Sequence, residues 1–248
     1  MIERGTGSLL DSDVEALVNT VNTVGVMGKG IALQFKQAFP KNFIAYEKAC
    51  RRGEVVPGHM FVFASDALMN PRFIINFPTK RHWKGSARLA DIKTGLDDLV
   101  NVIKTHNIKS LAVPPLGCGL GGLRWDDVRP LIETALGNLD GVKVVMFAPG
   151  GAPAADSMQV ATKKPAMTEK VAALLHVFRR YGVPGYKLTR IEAQKLAYFL
   201  QVVGVPLRLE FAKYTYGPYA EKLNHWLQRL DGHYIRGYGD RTQNSPMV

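Results

Sequence analysis

The stretch VNTVNTVGVMGKGIALQFKQAFP, residues 18–40, joins an apolar run to a helical pattern through a loop that contains Gly25, Gly28 and Gly30. The helical pattern has apolar residues at spacings of three or four. These residues are Ile31, Phe35, Ala38 and Phe39. Glycines at such a joint let the backbone approach a phosphate, and N–H groups at a helix N-terminus point at the anion. An isolated G-x-G also shapes ordinary turns, so this loop alone leaves the function open.

Five apolar runs of strand length recur along the first 150 residues, each bounded by polar, glycine or proline residues. They cover residues 15–18, 59–63, 73–77, 110–114 and 142–147. Helical patterns follow at residues 89–103 and 128–139. Continuous apolar runs are typical of strands covered on both faces. We therefore expect an α/β fold with a mixed, mostly parallel sheet, and ligand sites beyond the carboxyl ends of its strands.

The chain of 248 residues is long enough for two small domains. Residues 148–156, APGGAPAAD, contain too much proline and glycine to continue a strand or begin a helix. We therefore expect an α/β domain in residues 1–150, a linker in residues 151–162 and a smaller, mainly helical domain in residues 163–248. The polar residues 236–248 are interpreted as a frayed end, and the small size of this domain allows a natural chain that continues past Val248.

Charge and cysteine content narrow the class of protein. The formal net charge is +11, with 18 basic and 14 acidic residues in residues 1–150 and 14 and 7 in residues 151–248. This excess favours either a polyanionic partner or solubility. Cys50 and Cys118 lie far apart, with no Cys/His pairing at zinc spacing, so we expect no metal site and a cytoplasmic protein. No apolar stretch approaches the roughly 18 residues that span a bilayer, so we expect no membrane partner.

A second glycine-rich loop, VPPLGCGLGGLRW in residues 113–125, again follows an apolar run and precedes a helical pattern that Asp126 and Asp127 begin. Two anion-binding loops at one edge of a sheet suit a diphosphate between two sugars. Neither loop has the spacing of a Walker A motif, and neither is a G-x-G-x-x-G followed by an acidic ribose ligand. Nucleoside triphosphate hydrolysis and Rossmann-type dehydrogenation are therefore disfavoured.

Together with NFPTKRHWKG in residues 76–85, these two loops make the first 150 residues resemble the macrodomains. Within that family they are most similar to the DarG antitoxin type, the DNA ADP-ribosyl glycohydrolases, which are related to terminal ADP-ribose glycohydrolase. The resemblance implies a three-layer macrodomain that binds and hydrolyses ADP-ribose without a cofactor. It also implies an antitoxin that removes ADP-ribose from DNA bases, thymidine in single-stranded DNA being the implied case, and so reverses a DarT-type toxin.

The resemblance implies two catalytic residues. Lys80 would act near the anomeric carbon of the distal ribose, and Asn22 would orient the hydroxyls of that ribose. A lysine is nucleophilic only when neutral, and nearby cations such as Arg81 or Lys84, or partial burial, would lower its pKa. The implied ligand-binding residues are Ser8, Leu9, Asn19, Gly28, Gly30, Ile31, Thr79, Pro115, Leu116, Gly117, Cys118, Gly119, Leu120 and Gly121. Without the resemblance, the basic stretch around Lys80 would be interpreted as a solvated surface.

Two positions depart from related macrodomains. Many macrodomains begin with Gly-Asp-Ile, whose acid contacts adenine, whereas Ser8 and Leu9 follow Gly7 here. The human terminal glycohydrolase has an aspartate where this chain has Gly121, so we expect a substrate other than an acyl ester, such as a modified nucleobase. The alternatives are a hydrolase of ADP-ribosyl esters on protein Asp or Glu, a reader that binds ADP-ribose without hydrolysis, and a nucleic-acid-binding module.

The C-terminal sequences KLTRIEAQKLAYFLQ and YTYGPYAEKLNHWLQRLDG resemble helical antitoxin domains of the Panacea type. This part has no evident set of catalytic residues. Its aromatic residues are candidates for a surface that binds the cognate toxin or stacks on bases, although such spacings are also typical of a helical core. They are Tyr214, Tyr216, Tyr219, His225 and Trp226. We expect residues 163–248 to bind the DarT-type toxin.

Overall fold

The computed structural model describes residues 1–65, 67–150, 158–182 and 188–235. The chain divides into two compact units, Met1–Pro153 and Ala154–Val248. The expected linker lies in part, and the expected frayed end entirely, outside the described residues. Each unit has its own apolar core.

A six-stranded sheet forms the centre of the first unit. Its strands are β1 (Ile2–Arg4), β2 (Ala16–Asn22), β3 (Phe61–Ala64), β4 (Phe73–Lys80), β5 (Ser110–Val113) and β6 (Lys143–Met146). Their order across the sheet is β1-β6-β5-β2-β4-β3, and all neighbours are parallel except β3 and β4. The expected mixed, mostly parallel sheet is confirmed.

Helices cover both faces of this sheet. Successive residues of a strand point to opposite faces, so each strand contributes side chains to the apolar core on either side. The helices are α1 (Gly30–Ala38), α2 (Pro40–Arg51), α3 (Leu89–Thr105) and α4 (Trp125–Leu136). On β2, Val18 packs into a core with residues of α3 and α4, while Leu17 packs into another with Phe35 of α1. These three layers confirm the expected macrodomain architecture.

β1 and α2 were not predicted from the sequence. β1 has only three residues, two of them charged, and pairs with β6 at the edge of the sheet. On α2, Phe43, Tyr46, Ala49 and Cys50 recur at spacings of three and four and pack into one apolar cluster, a pattern that the sequence analysis missed. The fully buried Asn42 lies beside this apolar face.

The second unit is mainly helical, as expected. It contains α5 (Glu169–Tyr181), α6 (Arg190–Val202), the antiparallel hairpin β7 (Ala212–Tyr214) and β8 (Gly217–Tyr219), and α7 (Glu221–Leu230). A capping box between Thr189 and Glu192 fixes the start of α6. The hairpin was not expected. None of the helices in the described ranges has the length and apolar character needed to cross a membrane.

Candidate active site

The carboxyl ends of β5, β2 and β4 lie side by side at the centre of the sheet. Asn22, the last residue of β2, is paired in register with Lys80, the last residue of β4, after an irregularity between Val21 and Asn22. The first glycine-rich loop leaves β2 at this point, and the second leaves β5 beside it. The structure thus brings together the two loops and the two residues that the sequence nominated as catalytic.

The side chain of Asn22 organises the first loop. Its Oδ1 accepts hydrogen bonds from the backbone N–H groups of Val24 (3.0 Å) and Val26 (3.3 Å), while its Nδ2 donates to the Val26 carbonyl (2.5 Å). The buried hydroxyl of Tyr46, on α2, donates to the Asn22 carbonyl at 2.6 Å. The predicted contact between Asn22 and a ribose stays a prediction, and the structure adds a loop-shaping role for this side chain.

Gly30 begins α1 with a φ of +57°, in the left-handed region that favours glycine. The first turn of α1 has no acidic residue, and Lys29 at its N-cap makes no side-chain capping bond. The N–H groups of this turn are therefore suited to an external anion. Gly28 lies two residues before this turn and is half-buried.

The second loop is anchored from below by Leu116, which is fully buried, and turns at Gly117, whose φ is +71°. Gly121 is packed too closely to carry a side chain, because a Cβ there would lie 2.4 Å from the Gly117 carbonyl oxygen. The Gly121 carbonyl accepts a hydrogen bond from Ala87 N–H at 2.9 Å. Gly119, by contrast, has open space around its Cα.

Lys80 is half-buried, and its ammonium is bonded both to the segment that follows β4 and to the second loop. Its Nζ donates hydrogen bonds to the Trp83 carbonyl at 3.0 Å and to the Leu120 carbonyl of the second loop at 3.1 Å. Burial lowers the pKa of Lys80 below its ordinary value. This is the partial burial that the sequence analysis offered as one cause.

The other suggested cause, nearby cations, has no support in the structure. The guanidinium of Arg81 is held by the carboxylate of Asp91, with one contact of 3.0 Å, and Lys84 lies over the ring of Trp83 at 5.0 Å. Both cations are therefore engaged elsewhere.

Cys118 in the second loop donates its thiol to the Leu116 carbonyl at 3.5 Å. Burial raises the pKa of Cys118 to about 11, with a smaller contribution from Asp127. The thiol is therefore protonated at neutral pH. Its predicted contact with a ligand would be that of a small, weakly polar group.

The remaining nominated residues differ in their burial. Leu9 is buried in one apolar cluster with Phe35, against which Ile31 packs, and Ser8 precedes Leu9. Thr79 is buried and donates to the Val21 carbonyl at 3.4 Å. In the second loop, Pro115 is half-buried and Leu120 is 65% exposed.

Asn19 is fully buried, as Leu116 is, and the predicted ligand contact of each stays a prediction. The Nδ2 of Asn19 donates to Asn76 Oδ1 at 3.0 Å, and Asn76 also exchanges hydrogen bonds with Asn42 at 2.7 and 3.3 Å. Asn19 also contacts the first loop, because its Nδ2 lies 3.9 Å from the sulfur of Met27. Sequence reasoning missed Asn42, Tyr46 and Asn76, because nothing in the sequence distinguishes a buried amide network from surface polar residues.

The chain is similar in sequence to known proteins. A sequence model of the Macro domain family matches residues 18–132. The DNA ADP-ribosyl glycohydrolase of Thermus aquaticus is 55% identical over 95% of this chain and 66% of its own length. The protein of the same name from Mycobacterium tuberculosis is 46% identical over 98% of this chain and 70% of its own length.

The chain belongs to the DNA ADP-ribosyl glycohydrolase family. It spans about two thirds of the length of these relatives. Solved structures agree: the macrodomain of M. tuberculosis DarG covers 60% of this chain with 57% identity and a TM-score of 0.60, and 99% of that macrodomain is matched. The DarTG protein of Thermosipho africanus, solved in complex with ADP-ribose, covers 62% of this chain with 35% identity and a TM-score of 0.54, over 43% of its own length.

Proposed function

We propose that this chain is an antitoxin that removes ADP-ribose from ADP-ribosylated DNA bases, thymidine in single-stranded DNA being the expected case. It would thereby repair the DNA lesion that a DarT-type toxin makes. The observation that carries the proposal is the pairing of Lys80 with Asn22 at the carboxyl ends of β4 and β2, beside the two glycine-rich loops. The relatives of this chain that are named DNA ADP-ribosyl glycohydrolases support the choice of substrate.

Each of the two loops would bind one phosphate of the diphosphate. The N-terminus of α1, with Gly28 and Gly30, would hold one phosphate, and Gly117, Gly119 and Gly121 of the second loop would hold the other. Backbone N–H groups suit this task because they donate hydrogen bonds without occupying the space of a side chain. The distal ribose would then lie against Asn22 and Lys80, where the two loops meet the ends of β2 and β4.

Lys80 would carry the chemistry. In one route its neutral amine attacks the anomeric carbon, so that the bond to the base breaks, the base takes up a proton, and water later hydrolyses the enzyme-bound sugar. In the other, the ammonium of Lys80 acts as an acid while water attacks. A lowered pKa increases the fraction of Lys80 that is neutral, which favours the first route. It also makes the ammonium of Lys80 a stronger acid, which favours the second. Trapping of a lysine adduct by borohydride after sugar opening would distinguish them.

The packing around Gly121 supports a nucleobase as the leaving group. An aspartate at this position does not fit the observed loop, because its Cβ would overlap the Gly117 carbonyl oxygen. The proposed site therefore has no carboxylate at this place, which agrees with the expectation of a modified nucleobase as substrate instead of an acyl ester.

The test compares release of ADP-ribose from ADP-ribosylated single-stranded DNA and from protein ADP-ribosylated on Asp or Glu. We expect the native chain to act on the DNA, and Lys80→Ala to lose at least about 100-fold in turnover while still binding ADP-ribose. Lys84→Ala, which removes an exposed neighbouring cation, is the matched control and should keep full activity. Release from protein alone would favour the ester hydrolase, and binding without release would favour a reader.

We also propose that residues 163–248 bind the DarT-type toxin. Tyr214 and Tyr216 are 62% and 69% exposed, and the ring of Tyr214 stacks on that of Tyr219 at 5.0 Å. Exposed aromatic side chains of this kind are enriched at protein interfaces. By contrast, Trp226 packs against the core of the unit. Deleting residues 163–248, or replacing Tyr214 and Tyr216 by alanine, should weaken complex formation with the toxin, and unchanged affinity in both cases would refute this assignment.

A further inference from the structure

Trp83 is exposed beside the candidate active site. The chain has three tryptophans, and the other two pack against the cores of their units. Trp83 lies in the turn that follows β4, where the Gly85 N–H donates to the His82 carbonyl at 3.0 Å. It keeps 41% of its surface exposed. An aromatic ring of this size is normally buried for the most part, so its exposure at this place requires a reason.

Other apolar side chains are exposed on the three segments that meet at Lys80. The segments are residues 23–29, 81–88 and 117–124, and their sequences contain no acidic residue. Besides Trp83, the exposed apolar residues are Val24 and Val26 of the first loop and Leu120 of the second. Single exposed apolar residues are common, but a group of them around a site is typical of a surface that binds an apolar or aromatic group.

The turn that carries Trp83 is bonded to both glycine-rich loops. Thr23 of the first loop donates its hydroxyl to the Arg81 carbonyl at 2.7 Å. At the other end of the turn, the Ala87 N–H donates to the Gly121 carbonyl of the second loop at 2.9 Å. These bonds do not involve Lys80, so the position of the turn does not depend on the ammonium alone.

The group that the reaction releases must lie beside Lys80. In both routes given above, the bond that breaks joins the anomeric carbon to the released group, and Lys80 acts at that bond. The carbonyls of Trp83 and Leu120 both accept hydrogen bonds from Lys80 Nζ. Their side chains therefore lie within one side-chain length of the amine. A group released at this place can contact an aromatic ring and an aliphatic side chain.

The two neighbours of Trp83 in the turn leave part of its ring open. Lys84 Nζ lies over the ring at 5.0 Å, and the ring of His82 lies at 5.4 Å with an angle of 30° between the planes. Both neighbours are exposed. An exposed lysine gains little from such a contact, so its side chain can give way to a stacked aromatic group.

We propose that Trp83 and Leu120 form the binding site for the thymine base from which ADP-ribose is removed. The base stacks on the indole ring, and Leu120 contacts the methyl group of the base. A base has two flat faces for stacking, whereas the carboxylate released from an acyl ester has none. The choice of a DNA base rests on the proposed function. A base can reach this site from a single strand without first leaving a duplex, which agrees with single-stranded DNA as the substrate.

The test compares the affinities of ADP-ribosylated thymidine and free ADP-ribose, which differ only in the thymidine. All chains carry Lys80→Ala, so that no turnover occurs during the titration, and calorimetry measures both affinities. The variants in this parent chain are Trp83→Ala, Trp83→Phe and Leu120→Ala. The matched control is Leu68→Ala. Leu68 is a fully exposed leucine in the segment between β3 and β4, at the opposite end of β4 from the site.

Stacking of one base on an aromatic ring changes affinity by about 5- to 150-fold. Trp83→Ala should therefore weaken binding of ADP-ribosylated thymidine by a factor in this range and leave the affinity for ADP-ribose unchanged. Trp83→Phe, which keeps a ring, should recover most of the loss. Leu120→Ala should cause a smaller loss, and Leu68→Ala should bind both ligands as the parent chain does.

Kinetics in chains with native Lys80 separate stacking from a structural role of the turn. A base that stacks equally in the substrate and in the transition state contributes to KM and not to kcat. Trp83→Ala should therefore raise KM for ADP-ribosylated single-stranded DNA and leave kcat unchanged. Displacement of the Trp83 carbonyl would instead move Lys80 and lower kcat.

Equal affinities of the parent chain for the two ligands would overturn the proposal, because the base would then make no contact. So would unchanged affinities in Trp83→Ala, or an equal loss of both affinities with a fall in kcat, which would indicate a role through the carbonyl. If the chain with native Lys80 releases no ADP-ribose from DNA, the proposed function is refuted instead. The titrations need no turnover, so they still decide whether Trp83 binds the base.

Discussion

Replacing Gly121 by alanine should destabilise the first unit and impair its chemistry. The new methyl group would lie 2.4 Å from the Gly117 carbonyl oxygen and 2.9 Å from Ala87 Cβ, so the loop backbone itself must move. Overpacking of this kind costs about 1–3 kcal/mol. At roughly 2–4 °C per kcal/mol for a unit of this size, the melting temperature should fall by about 2–12 °C. The displaced loop carries the Leu120 carbonyl that holds Lys80, so turnover should fall as well.

The matched control is Gly119→Ala in the same loop, where a Cβ would meet nothing within 4 Å. We expect its melting temperature to stay close to that of the native protein. Thermal unfolding monitored by circular dichroism, with and without ADP-ribose, measures both effects. A native melting temperature and native turnover in Gly121→Ala would refute the claim that packing excludes a side chain there, and with it the explanation for the missing carboxylate.

Three further perturbations test other parts of the structure. Burial lowers the pKa of Lys80. At pH values below that pKa, the fraction of Lys80 that is a neutral amine rises about tenfold per pH unit. A nucleophilic Lys80 therefore predicts that kcat rises with pH and levels off at a pH below 10.5, the ordinary pKa of a lysine, and a kcat that falls as the pH rises would contradict this role. Tyr46→Phe leaves the Asn22 carbonyl without its hydroxyl donor, at a cost of about 1–3 kcal/mol, and should weaken ADP-ribose binding measured by calorimetry. Gln194→Ala removes bonds to both Ala220 N–H (2.8 Å) and Ala220 carbonyl (3.0 Å), so it should lower the stability of the second unit by about 1–3 kcal/mol without changing ADP-ribose affinity.

Much of the fold of the first unit was accessible from the sequence, because the buried strands are mostly apolar. The run at residues 73–77 coincides with the start of β4, and α3 and α4 match their periodic apolar patterns. The run at residues 15–18 predicted only the start of β2, which continues through Asn19 to Asn22. Buried amides interrupt the apolar pattern there, and Asn76 of β4 and Tyr46 of α2 supply hydrogen bonds to them, so only tertiary structure reveals why these residues are buried.

The candidate site, too, was predictable from the sequence only in part. Glycine-rich loops and the position of Lys80 after a strand are local features, and their meeting at one edge follows from parallel strands. The register of Asn22 with Lys80 depends on a register shift between β2 and β4, in which Thr79 is the extra residue on β4, and no sequence pattern indicated this shift. Tyr46 supports the loop from a helix that the sequence analysis did not predict. Contacts between elements distant in sequence are therefore what the structure adds.

Main-chain oxygens, not carboxylates, hold the ammonium of Lys80, and this bears directly on its reactivity. An adjacent carboxylate would stabilise the charged form and raise the pKa of Lys80, whereas carbonyl acceptors fix the position of Nζ without adding a full negative charge. Asp91 is engaged with Arg81, and the close packing of Gly121 excludes an acidic side chain from that position of the second loop. Burial therefore lowers the pKa of Lys80 without an opposing carboxylate at that position. Introducing a carboxylate beside Lys80 should move the rising limb of the pH–rate profile to higher pH.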